Sequence, residues 1–119
     1  MKNKLGTFGE QLAVEFLMNK GYKIIKTNWR FIHKEIDIIA EKDGLLVFVE
    51  VKSRSDDFYE NPQDAVSVKK QRFLLEAAEA YIEKYDIHQE ARFDIIAIIR
   101  KENTVNLEHI EDAFNSLGV

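Results

Sequence analysis

Residues 35–53, "EIDIIAEKDGLLVFVEVKS", constrain the fold more than any other part of the chain. Asp43-Gly44 separates two apolar runs, and an Asp-Gly pair in that setting is a strong two-residue hairpin signal, because such a turn needs positive φ at its central positions. On that turn Asp37 lies opposite Glu50 and Glu35 opposite Lys52, with facing Cβ atoms roughly 5 Å apart. A four-residue turn would make Asp37 and Glu50 diagonal neighbours, still on one face. Side chains alternate along a strand, so Glu50 and Lys52 share a face, as do Glu35 and Asp37.

The second run carries charge into the end of the chain's most hydrophobic strand. Leu45, Leu46, Val47, Phe48 and Val49 are followed by Glu50, Val51 and Lys52. Facing carboxylates repel and add nothing structural to a sheet. A divalent cation reverses that sign. Mg2+, or Mn2+, takes a few carboxylate oxygens and leaves the rest of its octahedron to water and substrate phosphate. A lysine two residues along can help activate the water nucleophile and stabilise charge on the phosphate. The pattern points to Asp37 and Glu50 as metal ligands and to Lys52 as a catalytic residue. The plain alternative is a solvated strand face, with Asp37 and Lys52 as a cross-strand ion pair.

Apolar residues recur at helical spacing from about Leu5 to Lys20 (Phe8, Leu12, Ala13, Phe16, Leu17), and Gly21 is placed to end that helix. "YKIIKTNWR", "EIDIIAE" and "LLVFVEVKS" read as three strands, with a loop from Ser53 to about Val66. "SVKKQRFLLEAAEAYIEKY" is rich in helix formers. "RFDIIAIIR", apolar on both faces, reads as a central strand. "TVNLEHI" reads as a short fifth strand, followed by a last helical turn around Asp112 to Leu117. A helix between the third and fourth strands implies that these two run parallel in a mixed sheet.

The 119 residues, 45% hydrophobic and 32% charged, suit one globular domain over residues 1–119. No run approaches the roughly 20 apolar residues of a membrane span, and the amphipathic start lacks a signal-peptide pattern. The chain has no cysteine, which excludes disulfides and thiolate metal sites. These features predict a cytoplasmic protein with no membrane partner. A net charge of −4 speaks against a broad basic nucleic-acid surface, so a nucleic-acid reading must rest on a local site.

"FGEQLAVEFLMNKGYKIIKTNWR", "EIDIIAEKDGLLVFVEVKSR", the helix beginning near Lys70-Gln71 and "RFDIIAI" together resemble the YraN-like family, in order and over nearly the whole chain. That family is grouped with the restriction-endonuclease-like superfamily and its loose Asp…Glu-x-Lys motif, and is similar in this to archaeal Holliday-junction resolvases. The resemblance implies an α/β fold with an αβββαβ core, its mixed central sheet flanked by helices. It implies a metal-dependent nuclease acting on DNA, including branched DNA, with Mg2+ or Mn2+ as cofactor. Asp37 and Glu50 would bind the metal, Lys52 would serve the water, and Glu10 on the first helix would complete the acidic cluster. Lys34 stands where the family usually has glycine, which bears on how a phosphate backbone approaches Glu35. The competing reading is a non-catalytic nucleic-acid-binding or protein-recruiting module that keeps the fold. Two-fold cleavage of branched DNA would need a homodimer, formed through an exposed sheet edge or the final "IEDAFNSLGV".

The other candidates each have a plain alternative. Thr7-x-x-Glu10 matches a capping box, so Glu10 could serve the helix end instead. Glu35 could anchor Lys52 or contact the substrate. Gln71, Lys69, Lys70 and Arg72 cluster near the start of the second helix; with Arg54 and Arg30 they could hold phosphates, or simply form a solvated surface. Arg92 and Asp94 suggest a structural ion pair. Tyr22 and Trp29 suggest core or strand-edge aromatics. His33, His88 and His109 show no metal-ligand spacing. Phe58 and Tyr59 fall in the long loop after the motif, a place from which side chains can contact substrate.

Overall fold

The computed structural model describes residues 4–54 and 66–115, with side chains from Phe8 onward. Phe58, Tyr59 and the side chain of Thr7 lie outside the described residues. The element order is α1 (Lys4–Asn19), β1 (Lys23–Phe31), β2 (Lys34–Lys42), β3 (Leu45–Arg54), α2 (Val68–Lys84), β4 (Glu90–Lys101) and β5 (Thr104–Ile110). All five strands form one mixed sheet in the order β1-β2-β3-β4-β5. β3 and β4, joined through α2, are parallel, and the other pairs are antiparallel. The expected final helical turn is not seen at Asp112, which lies in a turn, or at residues 113–115, which are irregular.

The helices cover opposite faces of the sheet. Ala13 and Leu17 of α1 pack with Ile38, Ala40, Val47, Val49, Ile96 and Ile98. Leu74, Ala77, Ala78 and Tyr81 of α2 pack with Ile36, Ile39, Leu46, Phe48, Phe93 and Ile95. β3 and β4 supply both cores, which is why their sequences are apolar on both faces.

The chain's punctuation explains the boundaries. Gly21 ends α1 with φ of +93°. Its N–H donates to Met18 C=O and the Tyr22 N–H to Leu17 C=O, both at 3.0 Å, closing the last turn in a Schellman motif. Ser67 caps α2, its Oγ accepting from the Lys70 N–H at 3.1 Å. Asp43 and Gly44, at φ of +51° and +81°, form the two-residue turn between β2 and β3. Among the described residues no helix is long and apolar enough to cross a membrane.

Candidate functional site

The β2–β3 hairpin runs in the register its turn demands, from Lys42 opposite Leu45 to Ile38 opposite Val49. One residue further the strands part. Asp37 sits at that fork, and its Oδ2 accepts the Val51 N–H at 2.8 Å. A side chain thus takes a place that a strand carbonyl would otherwise fill.

The alternation of faces also breaks at Asp37. Ile39 and Ile36 both pack on the α2 side, although three residues apart, while Ile38 packs on the α1 side. β1 mirrors this irregularity. Thr27 pairs with Ile38 and Trp29 with Ile36. Asn28, between them, has φ of +54°, a conformation asparagine tolerates better than most residues. Its Nδ2 donates to Glu10 Oε1 of α1 at 2.9 Å. Gly9 lets α1 come this close: a Cβ there would collide with Ser53 Oγ on β3. Glu10 is therefore brought toward the fork from one side of the sheet and Glu50 from the other.

Glu50 follows Leu46 and Phe48 onto the α2 side, with Lys52 two residues beyond. It is only 6% exposed. Its Oε2 lies 3.7 Å from Lys70 Nζ of α2. Its Oε1 is buried and accepts no hydrogen bond from a described donor group. The Asp37 and Glu50 carboxyls lie within hydrogen-bonding reach of each other, so a proton on Asp37 can satisfy Glu50. Burial, followed by the charge of Glu50, pushes Asp37 up to about 8, with Glu10 adding to the rise and the Val51 N–H opposing it. Burial also raises Glu50, against the opposing charges of Lys70 and then Lys52. Two carboxyls so close can share one proton.

Other expected site residues divide. Glu35 is not paired with Lys52, because the β2–β3 ladder ends at Ile38 and Val49. It pairs instead with Arg30 of β1, their charged groups 4.0 Å apart. Gln71 turns back to donate from Nε2 to Val66 C=O at 3.0 Å and so secures the entry to α2. Arg54 is partly buried at the end of β3. Lys34 lays its ammonium 5.2 Å from the Phe73 ring centre. Among the described residues, no three carboxylate or imidazole groups converge as a ready metal cage. Glu10 contributes charge near Asp37 while its Oε1 is held by Asn28.

A second polar centre lies on the α1 side. Asp94 is fully buried. Arg92 holds it with two bonds, from Nε at 2.9 Å and an Nη at 2.7 Å, as the Arg92-Asp94 alternation suggests. His109 Nε2 lies 2.7 Å from Asp94 Oδ2, and the Asp112 N–H donates to Oδ1 at 3.0 Å. Burial alone would raise Asp94, but the bonds from His109, Arg92 and Asp112 outweigh it and hold the carboxyl below its usual range. Lys20 Nζ lies 3.0 Å from His109 Nδ1. An ammonium can only donate, so Nδ1 accepts and the proton of neutral His109 sits on Nε2, facing Asp94. Spacing along the chain hides this role for His109. The Glu102-Asn103 turn reveals it, because it pairs His109 with Ile96 and so makes His109 a diagonal cross-strand neighbour of Asp94.

The family model described as "Uncharacterised protein family UPF0102" matches residues 9–98. A UPF0102 protein of Flavobacterium psychrophilum is 50% identical over 112 residues, which is 94% of each chain. One from Parabacteroides distasonis is 46% identical over 113 residues, covering 95% of this chain and 93% of its own. One from Bacteroides fragilis is 46% identical over 112 residues, covering 94% and 93%. The matched span holds the fork, both of its carboxylates, Lys52 and the start of α2, and the chain belongs to the UPF0102, YraN-like family.

Proposed function

We propose that this protein is a restriction-endonuclease-like, Mg2+-dependent phosphodiesterase that hydrolyses DNA, with branched DNA among its substrates. The observation that carries this reading is the pair Asp37 and Glu50, drawn together at the fork with a buried Glu50 oxygen that no cationic or N–H donor among the described residues meets. A sheet gains nothing from such a pair, whereas a hard divalent cation is well held by one or two carboxylates. Two carboxylates suit Mg2+, which keeps several waters and substrate oxygens around it. Asp37 and Glu50 would hold the ion, with Glu10 near enough to add negative charge. Bound there, Mg2+ (or Mn2+) would supply Lewis-acid polarisation of the phosphate and a more acidic water. Lys52 would orient the water nucleophile and stabilise the extra negative charge on the phosphate as it is attacked. Arg54, at the end of β3, would meet the DNA backbone.

The net charge of −4 favours a second reading, a binding or recruiting module that does not cleave. A panel of linear, flapped and four-way-junction DNA with Mg2+ or Mn2+ separates the two. Wild type should cleave, while Lys52→Ala and Glu50→Ala should lose about a hundredfold or more of the rate, and Lys52→Ala should keep its metal affinity and fold. Cleavage persisting equally in all three proteins would indicate a contaminant. No cleavage of any substrate by wild type would favour the module.

A further inference from the structure

The ion pair of Glu50 comes from another element, not from its own strand. Lys70 enters from the first turn of α2, and its Nζ stands 3.7 Å from Glu50 Oε2. The lysine is 29% exposed where the carboxylate is 6% exposed, so it reaches inward from the rim. Its position is built. Its own N–H is held by the Ser67 cap, Gln71 ties the same turn to Val66 C=O, and its ammonium lies 5.7 Å from the Phe73 ring centre. Lys70 also acts on the Glu50 charge more strongly than Lys52 does.

A lysine so placed and a divalent ion compete for one carboxylate. Both are cations, and at such short range in a largely dry site their repulsion is weakly screened. The four-carbon stem of lysine lets the ammonium withdraw toward solvent without moving the helix.

We propose that Lys70 is the resident counter-cation of the acidic pair, neutralising Glu50 until a divalent ion enters and thereby setting the affinity for that ion. The inference rests on the reading of Asp37 and Glu50 as the metal pair. Lys70 is a positioning residue in this scheme, since it acts on Glu50 rather than on the substrate. It lowers metal affinity while stabilising the metal-free protein.

The test is calorimetric titration with Mn2+, and thermal melting in chelator and in saturating Mg2+. The proteins are wild type, Lys70→Met, Lys70→Arg, Lys69→Met and Asp37→Asn. Lys70→Met should bind Mn2+ about tenfold more tightly than wild type. Lys70→Arg keeps the charge and should stay within about twofold of wild type, as should Lys69→Met, which removes an equal charge from the exposed neighbour. In chelator Lys70→Met should melt below wild type, and in saturating Mg2+ that gap should close. Unchanged or weaker binding by Lys70→Met would overturn the inference while leaving the metal pair intact. So would equal tightening in Lys69→Met, or a melting gap that metal does not close. Binding by wild type that is absent or equal to that of Asp37→Asn would remove the metal pair itself, and this inference with it.

Discussion

A carboxylate taken out of water must find cations, donors or a proton of its own. Asp94 and Asp37 represent different solutions. Asp94 receives Arg92, His109 and the Asp112 N–H, and stays ionised. Asp37 has one backbone donor and a second carboxyl beside it, and its affinity for a proton rises to about 8 from an ordinary 3.8. In metal-free protein this makes stability depend on pH with a definite sign. Between those two values the unfolded chain has released a proton that the fold retains, so stability falls as pH rises from about 4 to about 8 and is greatest below that window. One such proton contributes at most about 1.4 kcal/mol per pH unit. Asp37→Asn is neutral throughout and should flatten this part of the profile, and it should be more stable than wild type near the upper end. Urea unfolding in chelator at a series of pH values reads this directly. Parallel profiles for the two proteins would mean that Asp37 is ionised in the fold.

At the scale of elements, the two helices end by the same device with different residues. α1 uses Gly21 in the left-handed position, while α2 uses Asp86 at φ of +52°. The Asp86 N–H donates to Glu83 C=O at 3.3 Å and the Ile87 N–H to Ile82 C=O at 3.0 Å, so the motif is complete without glycine. Asp86 meets His88 at 3.3 Å, but both are exposed and the contact is worth little. Asp86→Gly should therefore raise stability by about 0.5–1 kcal/mol, the relief of left-handed strain exceeding the extra entropy of glycine in the unfolded chain. A shifted urea midpoint at unchanged slope would show it, and a loss of stability would show that the aspartate side chain contributes to the cap. These boundaries were legible because capping residues act on their own backbone. The fork at Asp37 was not. It goes with Asn28 of β1 turning toward Glu10 of α1, a contact between two elements beside a third, β2.

The whole molecule is a sheet between two helices whose interior strands carry both cores. Phe48, Val47 and Val49 of β3, with Ile95, Ile96 and Ile98 of β4, are at most 2% exposed, whereas residues 104–106 of β5 are open to solvent. Amide hydrogen exchange should be slowest in β3 and β4, approaching the global unfolding limit, and much faster in the outer part of β5. Equal protection across all five strands would mean that the sheet opens only as a unit. Of the acidic pair, Asp37 is carried by β2 and Glu50 by β3, and Lys70 stands on the capped start of α2.

The helix and strand order, the Asp43-Gly44 turn and the parallel pairing of β3 with β4 were all readable from residue spacing. Each follows from local backbone preference or from which positions must avoid water. The pairing of Glu50 with Lys52 on one face was readable for the same reason, because alternation along an unbroken strand leaves no choice. The partners of the charged groups were not readable in this way. Lys70 reaches Glu50 because the placement of α2 brings a distant segment within a few ångströms, while Glu35 meets Arg30 across the β1–β2 ladder and His109 meets Asp94 across the β4–β5 hairpin. Charge has no periodicity to reveal its partner. Local rules place a carboxylate on a face, but the packing of neighbouring elements selects the proton, cation or donor that satisfies it.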